Sequence, residues 1–262
     1  MNESTLFTAA FILYVLSALS YLGFMLTRTP AWPKAGIGLA VAGLVVHTAA
    51  LVARTASSGH APFTNMYESL SFLSWAVVVA FLFTGRRSVV QRLGAFIMLI
   101  VVGLVALASS PLMPKEAAPL VPALQSYWLW LHVSVTLLGE AFFAVAFIAG
   151  LFYLFARSDE KRQALDAVSY RAIAVGFPLF TLGGLVFGMV WAYKAWGTYW
   201  SWDPKEVWSL ITWLVFALYL HTRIVMGWKG KRSALIAVIG FLAALFTYFG
   251  VNYLLAGLHS YA

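Results

Sequence analysis

The sequence predicts an all-α membrane protein, built as a polytopic bundle of about eight transmembrane helices. Of its 262 residues, 62% are apolar and 10% are charged, whereas soluble domains are about 45–50% apolar and about 25% charged. The mean hydropathy is +0.86. Apolar runs of about 20 residues recur along the chain, and this is the length that a helix needs to cross a bilayer.

Eight such runs define the expected spans, and we expect residues 1–262 to form one transmembrane domain. The first residues, MNESTLF, carry no basic cluster and lead into a full-length apolar run, so we expect no cleaved signal peptide. The expected spans are Leu6–Leu26, Ala35–Ala53, Ser69–Thr84, Leu93–Ala108, Trp128–Phe155, Tyr170–Trp191, Val207–Met226 and Ser233–Leu254.

The basic residues predict the orientation of these spans. Of the 17 lysines and arginines, 13 lie in alternate connections, and only Arg54, Lys115, Lys194 and Lys205 lie on the other side. Basic loops stay in the cytoplasm, so both termini are expected outside. Membrane orientation thus accounts for the net charge of +8, and no nucleic-acid partner is predicted. The chain has no cysteine, so any thiol chemistry must use the thiols of a partner.

Residues 191–208, WAYKAWGTYWSWDPKEVW, form a Trp-rich segment between two spans on the predicted outer side. An interfacial aromatic belt would explain isolated rings. It does not explain Trp196, Trp200 and Trp202 within seven polar, glycine-containing residues. Flat rings at this density predict a large planar ligand, held by desolvation and stacking. Asp203 also fits a helix N-cap, with proline next and glutamate three residues later.

Two of the five histidines are expected near the level of the Trp-rich segment. His132 lies in the first turns of the fifth span, and His259 lies just past the outer end of the eighth. Two neutral imidazoles facing each other can supply both axial ligands of a haem iron. We therefore expect haem b at an outer site between His132 and His259.

His221 is expected at a different depth. It lies 18 residues after Asp203, roughly 27 Å further along a helix, so it cannot share an iron with the outer pair. It could ligate a second haem or haem in transit, with a mate from another subunit, or only bind a neighbouring carbonyl. For His47 and His60 the simple hydrogen-bonding interpretation is favoured. Glu140 belongs to the costly intramembrane charges that are functional or paired.

Residues 196–223, WGTYWSWDPKEVWSLITWLVFALYLHTR, resemble the tryptophan-rich WWD signature of haem-handling proteins, specifically the CcsA (ResC) family of system II cytochrome c biogenesis. HAPFTNMYESLSFLSW and the ending GVNYLLAGLHSYA share the likeness, which covers most of the chain. The related CcmC branch usually has six spans and a different tail after WD.

The resemblance implies haem export and attachment to the CxxCH motif of apocytochrome c, together with a CcsB (ResB)-like membrane subunit. It matches His132 and His259 to the outer pair and His221 to the inner site. The residues expected to bind haem are these three histidines together with Trp196, Tyr199, Trp200, Trp202, Asp203 and Trp208. The implied location is the bacterial cytoplasmic membrane, with the Trp-rich segment facing outward.

Three alternatives stay open at the level of sequence. The chain could be a transporter or channel for another planar solute, such as a quinone, with His221 and Glu140 in a proton path. It could deliver haem as CcmC does, or be an assembly subunit that only docks a partner. Whether it is the catalytic membrane subunit of a cytochrome c synthase (haem lyase) complex or a template is also open, because the sequence shows no evident acid–base pair.

Overall fold

The computed structural model describes residues 2–84, 88–113, 115–116 and 120–258, and of residues 88–92 the backbone alone. Regular structure in this part of the chain is entirely helical. Seven of its helices are long and apolar enough to cross a membrane, and a shorter apolar helix covers Leu93–Ser109. The predicted all-α, multi-pass membrane bundle is therefore confirmed.

The first of two compact units comprises residues 1–119. In it α1 packs against α2 and α4, and α3 packs against α4. Tyr14 and Tyr21 are fully buried in its core. Its helices are α1 (Glu3–Thr27), α2 (Ala31–Ser58), α3 (Met66–Thr84) and α4 (Ser88–Ser109).

The second unit comprises residues 120–262. Its central helix, α5, packs against α6 and α9 and also against a π-helical segment that follows α6. Its helices are a 3₁₀ turn (Pro122–Leu124), α5 (Tyr127–Phe155), α6 (Asp159–Phe180), α7 (Gly188–Trp196), α8 (Pro204–Ile224), α9 (Lys231–Leu245) and α10 (Val251–Leu254).

Two π-helical segments interrupt this unit, and the sequence did not predict them. The first π turn (Thr181–Phe187) joins α6 to α7, and the second (Phe246–Gly250) joins α9 to α10. The sixth span is consequently one continuous helix over Asp159–Trp196. It begins earlier than the expected span Tyr170–Trp191, so most of the expected connection between the fifth and sixth spans is helical. A single extra residue in a turn leaves the apolar pattern of a span unchanged, so periodicity does not reveal it.

Candidate functional site

His132 lies in the second turn of α5, against the first π turn. Its Nδ1 atom is 2.8 Å from the carbonyl oxygen of Gly183. A carbonyl oxygen only accepts hydrogen bonds, so Nδ1 carries the proton and Nε2 carries the lone pair of the neutral ring. This is the tautomer in which Nε2 serves as a ligand and the other nitrogen is fixed by a second contact.

A layer of indoles lies beside this imidazole. The ring of Trp191 is parallel to that of His132, with an interplanar angle of 10° and centroids 5.5 Å apart. Trp196 meets Trp191 edge to face at 4.8 Å. Trp191 is only 2% exposed, and its Nε1 donates to the carbonyl of Ala123 at 3.0 Å. The beginning of the Trp-rich segment, with Trp191 and Trp196, is therefore packed beside His132.

The middle of the Trp-rich segment, residues 197–202, is largely exposed to solvent. Gly197 ends α7 in the left-handed conformation with φ 79°, which glycine adopts without strain. Trp202 also has a positive φ, 61°, which is uncommon for a bulky residue and costs backbone energy. Trp202 is 69% exposed and Tyr199 is 55% exposed. Trp200 meets Trp202 edge to face at 5.7 Å, so large ring surfaces remain accessible.

Asp203 begins α8 as the sequence predicted, and it also binds a distant part of the chain. Its Oδ1 accepts from the backbone N–H of Lys205 at 3.0 Å, and the Glu206 side chain completes the capping box. Its Oδ2 accepts from the backbone N–H of Leu258 at 2.6 Å. The carboxylate thus joins the start of α8 to the residue that directly precedes His259.

His259 itself lies outside the described residues, so its pairing with His132 stays a prediction. Trp208, in the second turn of α8, packs against Phe246 of the second π turn with centroids 4.2 Å apart. The last residue of the Trp-rich segment therefore contributes to helix packing.

A polar contact in the same unit joins α8 to α10. Lys205 donates from Nζ to Oδ1 of Asn252 at 2.8 Å. Glu140 is buried, with 7% exposure, and the Lys205 ammonium is an opposite charge within electrostatic range of its carboxylate. A buried charge needs an opposite one nearby, and Lys205 is the group that can serve Glu140 in this way.

His221 lies near the opposite end of α8. The helix is uninterrupted from Pro204 to Ile224, so His221 is roughly 25 Å from its start. Its side chain is exposed and continues an exposed apolar stripe formed by Leu214 and Leu218. The geometry keeps His221 away from His132 and presents it outward from this unit.

The two histidines of the first unit have protein partners. His47 is fully buried, with Nδ1 3.2 Å from the Tyr14 hydroxyl and Nε2 2.9 Å from the Ser71 hydroxyl. His60 directs Nδ1 to the carbonyl of Ala61 at 3.0 Å. His47 therefore makes the ordinary hydrogen bonds that the sequence favoured. His60 makes one through Nδ1, and its Nε2 atom is buried without a hydrogen-bond partner among the described residues.

The buried carboxylate of Glu68 organises the segment HAPFTNMYESLSFLSW, residues 60–75. Glu68 Oε1 accepts from Arg54, and Oε2 accepts from the backbone N–H and the hydroxyl of Thr64. Its side chain is 0% exposed. Charge-assisted bonds of this kind fix local geometry strongly, and here they hold the loop before α3.

Sequence reasoning missed the groups that surround His132. The spacing of Gly184 and Gly188 is typical of close helix contact, and Gly188 does lie against the His132 ring. The atoms nearest to a Cβ at Gly184 belong to Phe180, whereas a Cβ at Gly183 would meet the α5 backbone. The glycine-rich run 183–188 was the available signal, but nothing in it predicts a π turn or a carbonyl directed at the histidine. In the part of the chain that the structure describes, three or more His, Asp or Glu side chains never form a metal-binding group.

Fold and site together define a multi-pass α-helical membrane protein. The sequence model of the family described as "Cytochrome C assembly protein" matches residues 63–259. Curated relatives extend the match over almost the whole chain. The chain therefore belongs to the CcsA family of cytochrome c assembly proteins, as the resemblance predicted, and this places it in cytochrome c biogenesis.

The relatives include proteins of algae and cyanobacteria. "Cytochrome c biogenesis protein CcsA" of Guillardia theta is 38% identical over 96% of this chain and 93% of its own length. That of Gloeobacter violaceus is 36% identical over 95% and 92%. That of Chlamydomonas reinhardtii is 44% identical over 80% of this chain, which spans 64% of that protein.

Among solved structures, the chain is similar to "Cytochrome c Heme Lyase CcmF". The TM-score is 0.72 at 17% identity, over 95% of this chain and 47% of that protein. At this identity the likeness concerns the fold, and it agrees with the helical bundle described above.

Proposed function

We propose that this chain holds haem b at an outer site under the Trp-rich segment and presents it for attachment to apocytochrome c. The observation that carries the proposal is the geometry of His132, whose Nδ1 proton is held by Gly183 so that Nε2 has the lone pair. His132 is the first axial ligand in this proposal and His259 is the second. Asp203 supports the second assignment, because it binds the residue before His259.

The aromatic residues of the Trp-rich segment cover the porphyrin in this scheme. Trp200, Trp202 and Tyr199 offer exposed or half-exposed rings, and a large apolar plate gains from desolvation and offset stacking. Trp196 and Trp208 support this haem-binding surface from within the protein, because Trp196 packs against Trp191 and Trp208 packs against Phe246. One edge of the haem stays accessible to the CxxCH segment of the substrate.

The attachment step is redox-neutral and needs no residue of this chain as a nucleophile. Each substrate thiol adds across a vinyl group, so the S–H bond and the C=C π bond break while one C–S and one C–H bond form. The substrate histidine then replaces one axial imidazole. The chain supplies placement and electrostatics, which agrees with its lack of cysteine.

His221 serves the inner site in this proposal. It is exposed on α8, so its iron-binding mate comes from another chain, a CcsB (ResB)-like membrane subunit. The whole complex works as a cytochrome c synthase in the bacterial cytoplasmic membrane, with the Trp-rich segment on the outer side. Haem moves across the membrane from the inner site at His221 to the outer site at His132.

The test is a haem spectrum of the chain, purified together with its partner subunit from cells that make haem. His132→Gly and His259→Gly are each expected to lose outer-site haem and to regain it with added imidazole. His221→Gly is expected to lose the inner haem. His47→Gln is the control and keeps the wild-type spectrum, because both ring nitrogens of His47 already have hydroxyl partners, Tyr14 and Ser71. Absence of a Soret band in the wild type, or full haem retention in all three variants, would contradict the proposal.

A further inference from the structure

We infer that the first π turn and Trp191 form a positioning shell that holds the His132 imidazole with Nε2 as its ligating nitrogen. The inference rests on the proposed function, since it concerns the same outer site. It adds three positioning elements that are not among the residues expected to bind haem. They are the carbonyl of Gly183, the space left by Gly188 and the indole of Trp191.

The π turn places a carbonyl where it can bind the histidine. Gly183 O accepts from the backbone N–H of Gly188, the five-residue spacing that defines a π-helix. The same oxygen lies 2.8 Å from His132 Nδ1, and a carbonyl has two lone pairs for two donors. Single π turns inside α-helices occur often at functional sites. This one fixes both the tautomer and the hydrogen bond that raises the basicity of Nε2.

Gly188 leaves the space that the imidazole occupies. A Cβ atom at this position would lie 3.1 Å from both Cε1 and Nδ1 of His132. A side chain there requires the ring to shift by a few tenths of an ångström, which disturbs its contact with the Gly183 carbonyl. Gly184, in the first π turn, is different, because the atoms nearest to its Cβ would be ring atoms of Phe180 at 3.4–3.5 Å, an ordinary contact distance. The chain therefore offers a matched pair of glycines for a test.

Trp191 fixes the remaining freedom of the ring. It stacks in parallel on His132, so it opposes rotation of the imidazole out of its plane. The indole is itself immobilised by its bond to Ala123 and by packing against the buried Leu124 and Leu129. A phenylalanine at position 191 keeps a stacking face, whereas a leucine does not.

The experiment uses the full chain with its partner subunit and compares Gly188→Ala, Trp191→Leu, Trp191→Phe and the control Gly184→Ala. The readouts are outer-site haem content, its reduction potential and its displacement by added imidazole. Gly188→Ala and Trp191→Leu should bind outer haem about 10–100-fold more weakly, the usual effect of removing a contact behind a metal ligand. Remaining haem should show a more positive potential, because a less basic imidazole stabilises the ferric state less. Trp191→Phe should fall between Trp191→Leu and the wild type, and Gly184→Ala should match the wild type.

A second variant separates positioning from misfolding. In His132→Gly with added imidazole the ligand is no longer attached to α5, so adding Gly188→Ala should leave the rescued haem content unchanged. Loss of rescue in the double variant would overturn the inference, because Gly188 would then act by some route other than His132. Wild-type potential and imidazole resistance in both Gly188→Ala and Trp191→Leu would also overturn it. Haem retention in His132→Gly would instead remove the proposed function.

Discussion

Asp203 has two carboxylate oxygens, and each binds a different part of the second unit. One caps α8, and this was predictable because Asp-Pro-Lys-Glu has the pattern of a helix start. The other binds Leu258, a contact across 55 positions that no local pattern announces. The sequence thus predicted the cap and missed the link to the chain end that leads to His259.

This double role gives a prediction at the scale of one residue. In Asp203→Asn one oxygen still caps α8, because asparagine is as good an N-cap as aspartate, but the amide nitrogen cannot accept from Leu258. Hydrogen exchange at residues 251–258 should become faster and outer-site haem should fall, while the exchange of α8 stays as in the wild type. Hydrogen-exchange mass spectrometry with a haem spectrum measures both.

Glu206→Gln is the control for this prediction. It changes the capping box without touching the bond to Leu258, so residues 251–258 should keep their protection. Unchanged exchange in Asp203→Asn would show that the carboxylate does not hold this segment.

Helices in the second unit approach each other closely through glycine. A Cβ at Gly139 of α5 would lie 2.7 Å from the backbone nitrogen of Phe180 and 2.9 Å from the carbonyl of Gly176. Backbone atoms cannot move aside as a flexible side chain does, so the two helices would have to separate. The sequence predicted the spans well, because apolar length is a strong signal. It did not predict which glycines face a neighbouring helix.

Gly139→Ala should therefore destabilise the protein by about 1–3 kcal/mol, the usual cost of overfilling a packed interior. Gly103→Ala in α4 is the matched control, since nothing lies within 4 Å of the added Cβ and alanine is the better helix former. Thermal unfolding in detergent should show a lower midpoint for the first variant and an equal or higher one for the second. Equal midpoints for both would contradict the tight α5–α6 contact.

The two π turns are the helical elements that the sequence did not predict. The first contacts His132 through the carbonyl of Gly183, and the second precedes α10 and the segment that ends at Leu258. Adjacent residues of α8 bind both, since Trp213 donates to Thr181 and Thr212 pairs with Thr247. These bonds depend on tertiary packing, and the apolar pattern of each span is the same with or without them.

For the whole molecule, the distribution of basic residues predicts an outward-facing Trp-rich segment. The absence of cysteine makes this directly testable with single-cysteine variants. Ser201 and Lys229 are both exposed, beyond opposite ends of α8. A membrane-impermeant maleimide applied to intact cells should label Ser201→Cys and leave Lys229→Cys unlabelled until the membrane is opened. The reverse pattern would invert the orientation and place His132 at the inner side.

In the proposed function, His132 and His259 bind one haem iron from opposite faces beneath the Trp-rich segment. The most direct measurement is an experimental structure of the chain with its partner subunit and bound haem. We expect Nε2 of His132 and a ring nitrogen of His259 both within bonding distance of the iron, with the Nδ1 contact to Gly183 retained. Haem ligated elsewhere, or an iron bound by only one of these histidines with the other directed away, would contradict it.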